Sequence, residues 1–260
     1  MKILVPLNGT PKSESVIPFV VNLALRWQAE VVALTVVDPV GGAGDPIVPL
    51  VTNRFYRENL AAGEEYIQNM AGRFGEVLVH PFCRVGPPEH CIARLSAEEK
   101  CDLTILGSHG HSGLVRWFCG SVAEALVRHS PCPVLLVRHL MPLHFRQILI
   151  PVDGSETIRT LLGLIPAPFF GPETQVTLLH CGEPAPDWAL DDPRVQLSVS
   201  PLAAPQGICH WLESHDCDLI CMATHGREGM HHLWQGSITE EIARASDCPV
   251  LVIPPALVPW

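Results

Sequence analysis

Residues 101–137 read CDLTILGSHGHSGLVRWFCGSVAEALVRHSPCPVLLV. The apolar run at 103–106 has the length of a buried strand. Gly107, Gly110 and Gly113 then interrupt it. Gly120 and Ser121 open a helical pattern that ends near His129, where Pro131 and Pro133 stop it. Val134–Val137 is a second apolar run of strand length. Strand, glycine loop, helix and strand make the repeating unit of a parallel α/β sheet.

The start of the helix carries its own chemistry. Ser121 with Glu124 has the spacing of a capping box, in which each side chain satisfies a free backbone N–H. A helix start leaves donors pointing outward with the positive end of the dipole behind them. Glycines just upstream let an anion approach the backbone with no Cβ in the way. The loop is thus a candidate phosphate cradle. The plainer alternative is a strand-to-helix turn whose glycines only supply unusual backbone angles. The spacing is neither the GxGxxG dinucleotide fingerprint nor a Walker loop, since no Gly-Lys-Ser/Thr follows.

The stretch occurs twice. Residues 217–253 align with it without gaps at an offset of 116, sharing 15 of 37 residues, among them Cys101-Asp102-Leu103 with Cys217-Asp218-Leu219. The chain is therefore an internal duplication. The pattern Gly107-x2-Gly110-x9-Gly120-Ser121 resembles the nucleotide motif of the universal stress protein family, in its ATP-binding branch.

Length and composition fit two such units. The chain has 260 residues, 47% of them hydrophobic, room for two small cored domains. A formal net charge of -10 without a Lys/Arg cluster argues against a nucleic-acid backbone as partner, though not against a nucleotide held by backbone N–H groups. The N-terminal apolar run is too short for a signal peptide, and no run approaches a membrane span. The ten cysteines show no CxxC, and Cys101, Cys181, Cys217 and Cys221 fall in apolar patterns where Cys acts as a small hydrophobe. This fits a reducing cytoplasm rather than a disulfide framework or zinc site.

In chain order the pattern predicts a strand at 3–6, a turn at Asn8-Gly9-Thr10-Pro11 and one helix over 13–27. A strand at 31–37 and a Gly/Pro-rich loop follow. Then come a helix over about 55–74 with Tyr66, Ile67, Met70 and Phe74 inward, a strand at 77–82 and a helix over 88–98. The second half repeats this from residue 148. It is 29 residues shorter, and the missing piece falls where the first half has its second helix. A sheet face left bare there is costly in water. The expectation is that the Pro-rich loop with Trp188, the other half, or a second chain covers it.

The family resemblance spans nearly the whole chain and implies two tandem domains, 1–140 and 145–257. Each would be a five-stranded parallel sheet of order 3-2-1-4-5 resembling an adenine-nucleotide-binding fold. The two would form a pseudo-dimer through their last strands, with the second lacking one helix. It further implies a site residue by residue. Pro6, Leu7 and Asn8 would meet the sugar and base, with Val36 behind the adenine. Leu106, Gly107 and Gly110 would line the middle, and Gly120, Ser121 and Val122 would hold the phosphates, with His109 beside them either bonding a phosphate oxygen or fixing the loop through backbone bonds. The second-half equivalents are Pro151, Val152, Asp153, Ala223, Gly226, Gly236, Ser237 and Ile238. Asn8 departs from the family's usual Asp, and Ala223 from its first glycine. The Cβ of Ala223, with Glu228, Glu240 and Glu241, makes the second site the less favourable one.

The reading that results is a cytoplasmic stress regulator or sensor that binds ATP or AMP, with Mg2+ or Mn2+ on the phosphates. A homodimer and unnamed protein partners are compatible with it. Any catalysis would be slow ATP hydrolysis, or autophosphorylation on Thr10 or Ser121. The alternatives are a nucleotide-free interaction or chaperone-like module and, more weakly, a true hydrolase. No nucleophile elbow or Ser/His/Asp set stands out. Asp102 and Asp218 read as turn or cap residues. Adjacent His231 and His232, with Cys209 and His210, lack metal-ligand spacing.

Overall fold

The computed structural model describes residues 1–38, 53–107, 121–137, 144–153, 158–182, 186–188, 192–223 and 248–257. The first half runs β1 (Lys2–Pro6), α1 (Pro11–Glu14), α2 (Ile17–Trp27), β2 (Glu30–Val37), α3 (Asn53–Ala71), β3 (Val79–Val85), α4 (Pro88–Glu98), β4 (Leu103–Gly107), α5 (Ser121–His129) and β5 (Val134–Val137). The second runs β6 (Gln147–Val152), α6 (Ile158–Leu164), β7 (Gln175–Cys181), β8 (Val195–Ser200), α7 (Gln206–Ser214), β9 (Leu219–Ala223) and β10 (Val250–Ile253). Among the described residues these strands form one sheet in the order β3-β2-β1-β4-β5-β10-β9-β6-β7-β8.

Each half is thus parallel in the order 3-2-1-4-5, as expected. The halves join where β10 lies antiparallel to β5, with Val250 opposite Leu136 and Val252 opposite Val134. Alternation along the strands sends Ile3, Val5, Val31, Ala33 and Ile105 to one face under α2 and α3. Leu4, Val32, Leu34, Leu106 and Leu136 go to the other face, under α4 and α5. Burial on both faces is why these strands read as continuous apolar runs. Each of the two apolar layers runs through both halves. Trp27 of α2 meets Phe169 at 4.9 Å, and Phe169 also meets Phe145 at 4.8 Å.

Several local readings change. The helix expected over 13–27 is two helices, because Pro18 in the first turn of α2 has no N–H to continue the ladder from α1. The third strand starts at Val79 rather than Val77, leaving Leu78 exposed. Ser121 is the first helical residue of α5, and the Glu124 carboxylate bonds Arg128 at 2.9 Å instead of closing a capping box. A charge partner one turn away competes for the same oxygens.

Between β7 and β8 the described residues contain no helix. Trp188 packs against the core on the face α3 covers in the first half, and Val195 and Leu197 of β8 are half-buried there. Val199, further along this edge strand, stays 43% exposed. No helix among the described residues is long and apolar enough to cross a membrane.

At the amino ends of the strands, Asp102 and Asp218 perform the same task in each half. Asp102 accepts the Lys2 N–H at 2.7 Å, and Asp218 accepts those of Arg146 and Gln147 at 2.8 and 2.9 Å. They tie the start of the fourth strand to that of the first, the structural role the sequence suggested. Cys101 and Cys221 are buried as small hydrophobes.

Candidate functional site

In the first half β1 and β4 are neighbours, paired at Ile3–Leu103. After β1 the chain passes to α2 on one face, and after β4 to α5 on the other. Connections leaving adjacent strands in opposite directions open a crevice at their carboxyl ends. Pro6 ends β1 on the α4/α5 face, two residues after Leu4. Half-buried Val36 from β2, Leu106 from β4 and Val122 from the first turn of α5 belong to that same apolar cluster. Ser121 is exposed at the start of α5. Four of the expected site residues, Pro6, Val36, Leu106 and Val122, from four elements, therefore share one side of the sheet, at one end.

Leu7 and Gly107 each have a structural task as well. The Leu7 side chain is buried in the opposite layer, and its N–H bonds the Leu34 carbonyl at 2.7 Å. A Cβ on Gly107 would lie 2.8 Å from the Lys12 carbonyl oxygen and 2.9 Å from Val16 Cγ1. Close approach of α1 already requires glycine there.

The turn after β1 is heavily bonded. Asn8 Oδ1 accepts from the Thr10 N–H at 3.2 Å and from its hydroxyl at 2.7 Å. Thr10 Oγ1 caps α1 by accepting the Ser13 N–H at 3.3 Å, and Ser13 Oγ accepts the Asn8 N–H at 3.2 Å. Gly9, at φ +75°, donates its N–H to the Tyr66 hydroxyl at 3.0 Å. Tyr66 in turn donates to Glu14, which pairs with Arg73. Partial burial raises the Tyr66 pKa, so the phenol stays a donor. Sequence reasoning placed Tyr66 in the core and missed its hydroxyl as the anchor of this loop. No local signal marks a partner 57 residues away.

In the second half Pro151 is buried two residues after Leu149, Val152 packs into the opposite layer, and Asp153 is exposed. Ala223 ends β9 at 8% exposure. Register places Cys181 where the first half has Val36, since Leu179 pairs Pro151 as Leu34 pairs Pro6. α7 closes tightly over this corner. A Cβ on Gly207 would stand 2.8 Å from Cys181 Sγ and from the Leu202 carbonyl oxygen. Burial lifts the Cys181 thiol to about 11. His109, Gly110, Gly120, Gly226, Gly236, Ser237 and Ile238 lie outside the described residues, as do His231 and His232.

The frame is a twice-repeated, doubly wound α/β sheet with a crevice beside its first strand. The sequence profile of the Universal stress protein family matches residues 1–138 and 187–254, and the chain belongs to that family. A universal stress protein of Methanocaldococcus jannaschii is 32% identical over 140 residues, which is 53% of this chain and 81% of that one. One half of the chain thus corresponds to most of that relative. At the level of fold, a universal stress protein from Archaeoglobus fulgidus aligns with a TM-score of 0.68 at 19% identity, covering 97% of this chain and 96% of that one. A functionally unknown protein from Pseudomonas aeruginosa aligns at 0.63 and 17%, covering 99% and 94%.

Proposed function

We propose that the chain is a tandem universal stress protein of the cytoplasm, with lobes 1–140 and 145–257, whose first lobe binds an adenine nucleotide, ATP or AMP, as a sensor or regulator in stress response. The observation that carries this is the grouping of Pro6, Val36, Leu106 and Val122 on one side of the sheet, at the β1/β4 crevice where α5 begins. A mostly apolar wall next to a helix start suits a flat base joined to phosphates. Mg2+ or Mn2+ would accompany the phosphates. The role is binding rather than turnover. The tight approach of α7 to Cys181 favours the first lobe over the second.

Thermal unfolding with and without ATP, ADP and AMP tests this. One tight site at saturating ligand adds about 3–4 kcal/mol to stability. Gly110→Val is expected to erase the shift and Gly226→Val to spare it. No shift with any of the three nucleotides would refute the proposal. A second reading, a nucleotide-free assembly module, is favoured by Val199, 43% exposed on the face that α3 covers in the first lobe. It predicts self-association or partner capture that Val199→Lys abolishes.

A further inference from the structure

The two halves differ at the turn after their first strand, with Asn8 in one and Asp153 in the other. At Asn8 the turn consumes the side chain's acceptor, because Oδ1 takes both the N–H and the hydroxyl of Thr10, at 3.2 and 2.7 Å. A backbone N–H can be received only by the amide oxygen, so this bond decides which way the amide faces. What remains is Nδ2, two hydrogens and no lone pair, on an exposed residue at the lip of the crevice. A carboxylate there would behave in the opposite way. One oxygen would hold the turn and the other would stay free as an acceptor with a negative charge.

We infer that Asn8 makes the nucleoside end of the first lobe a donor-only reader. Resting on the nucleotide reading above, this means that the lobe recognises an acceptor atom of the ligand: a ring nitrogen, or a sugar oxygen taken as acceptor. It has no use for the proton of a sugar hydroxyl. An acidic residue needs that proton, because lone pair would otherwise face lone pair. The first lobe therefore tolerates sugar hydroxyls whose proton is replaced while the oxygen is kept. An aspartate at position 8 would not.

The experiment is calorimetric titration of the full chain and of Asn8→Asp with AMP, 2′-O-methyl-AMP and 3′-O-methyl-AMP. Asp still accepts the Thr10 N–H, so the turn and the melting temperature should be unchanged. For the wild type, all three ligands are expected to bind within about threefold of one another, whereas Asn8→Asp should lose about tenfold or more on at least one methyl ether relative to AMP, the loss of one hydrogen bond. Equal ratios in the two proteins, with AMP bound by both, overturn the inference and leave nucleotide binding standing. So does rejection of both ethers by the wild type, or loss of AMP itself by Asn8→Asp. No AMP binding by either protein overturns this inference, and no binding of ATP, ADP or AMP overturns the nucleotide reading with it.

Discussion

A Cβ on Gly107 would meet the Lys12 carbonyl oxygen and Val16 Cγ1, neither of them the end of a flexible chain. Gly107→Ala is expected to push α1 off the end of β4 at about 1–3 kcal/mol, read as a lower urea midpoint. The Asp102 and Asp218 clamps make a graded pair. Asp218→Ala frees two backbone N–H groups and Asp102→Ala one, so the first should cost about 2 kcal/mol and the second about 1. The thiols give a pH dependence. Burial raises Cys101 from 9.0 to about 12, and Cys221 is raised by burial as well. Each is neutral when folded and ionises first in the unfolded chain. Their contribution is complete below pH 9.0 and drains away as the pH climbs towards 12. Urea midpoints in reductant should fall between pH 8.5 and 10.5, less steeply in Cys101→Ala. A flat profile in the wild type would contradict this.

Among the elements, α3 does more than cover a sheet. Gly63 lets it settle where a Cβ would be 2.9 Å from both Cys83 Sγ and Val37 Cγ2. From that seat Tyr66 reaches the turn after β1 through Gly9, and Arg73, two residues past the helix, pairs with Glu14 at the end of α1. Tyr66→Phe keeps the ring and removes the bond to Gly9. It is expected to cost about 1 kcal/mol of stability and to weaken nucleotide binding, in titrations beside the wild type. Unchanged affinity would show that the loop holds its shape without α3. The second half has no such helix among its described residues, and Val199 is the exposed consequence. Apolar periodicity announced α3 well, with Ile67 and Phe74 buried as expected. Its hydroxyl-to-backbone contact was invisible, because a buried-face pattern reports burial and not bonding.

On the scale of the molecule, the pairing of β10 with β5 makes one sheet of two halves. Trp27 against Phe169 ties the halves together off the sheet as well. Two elements of burial therefore depend on both halves being present. Residues 1–140 produced alone would expose the edge of β5 and uncover Leu135 and Val137. The fragment is expected to pair with itself or aggregate, in light scattering after size exclusion. In the full chain Phe169→Ala should cost about 3–5 kcal/mol. Unfolding should remain one transition followed by fluorescence and circular dichroism alike. Two separated transitions would mean that the halves fold independently.

The sequence by itself determined the alternation of strands and helices, the duplication, the missing helix and the carboxyl-end loops as the place to look for a ligand. Those features are local, written in apolar period, turn residues and repeated segments. Only the tertiary structure decided that Gly107 answers to α1, that Tyr66 anchors Gly9, that Trp27 rests on Phe169, and that the Asn8 amide oxygen is taken up by Thr10. The physical reason is range. A contact between segments far apart in the chain depends on how both are packed, and neither segment carries a mark of it alone.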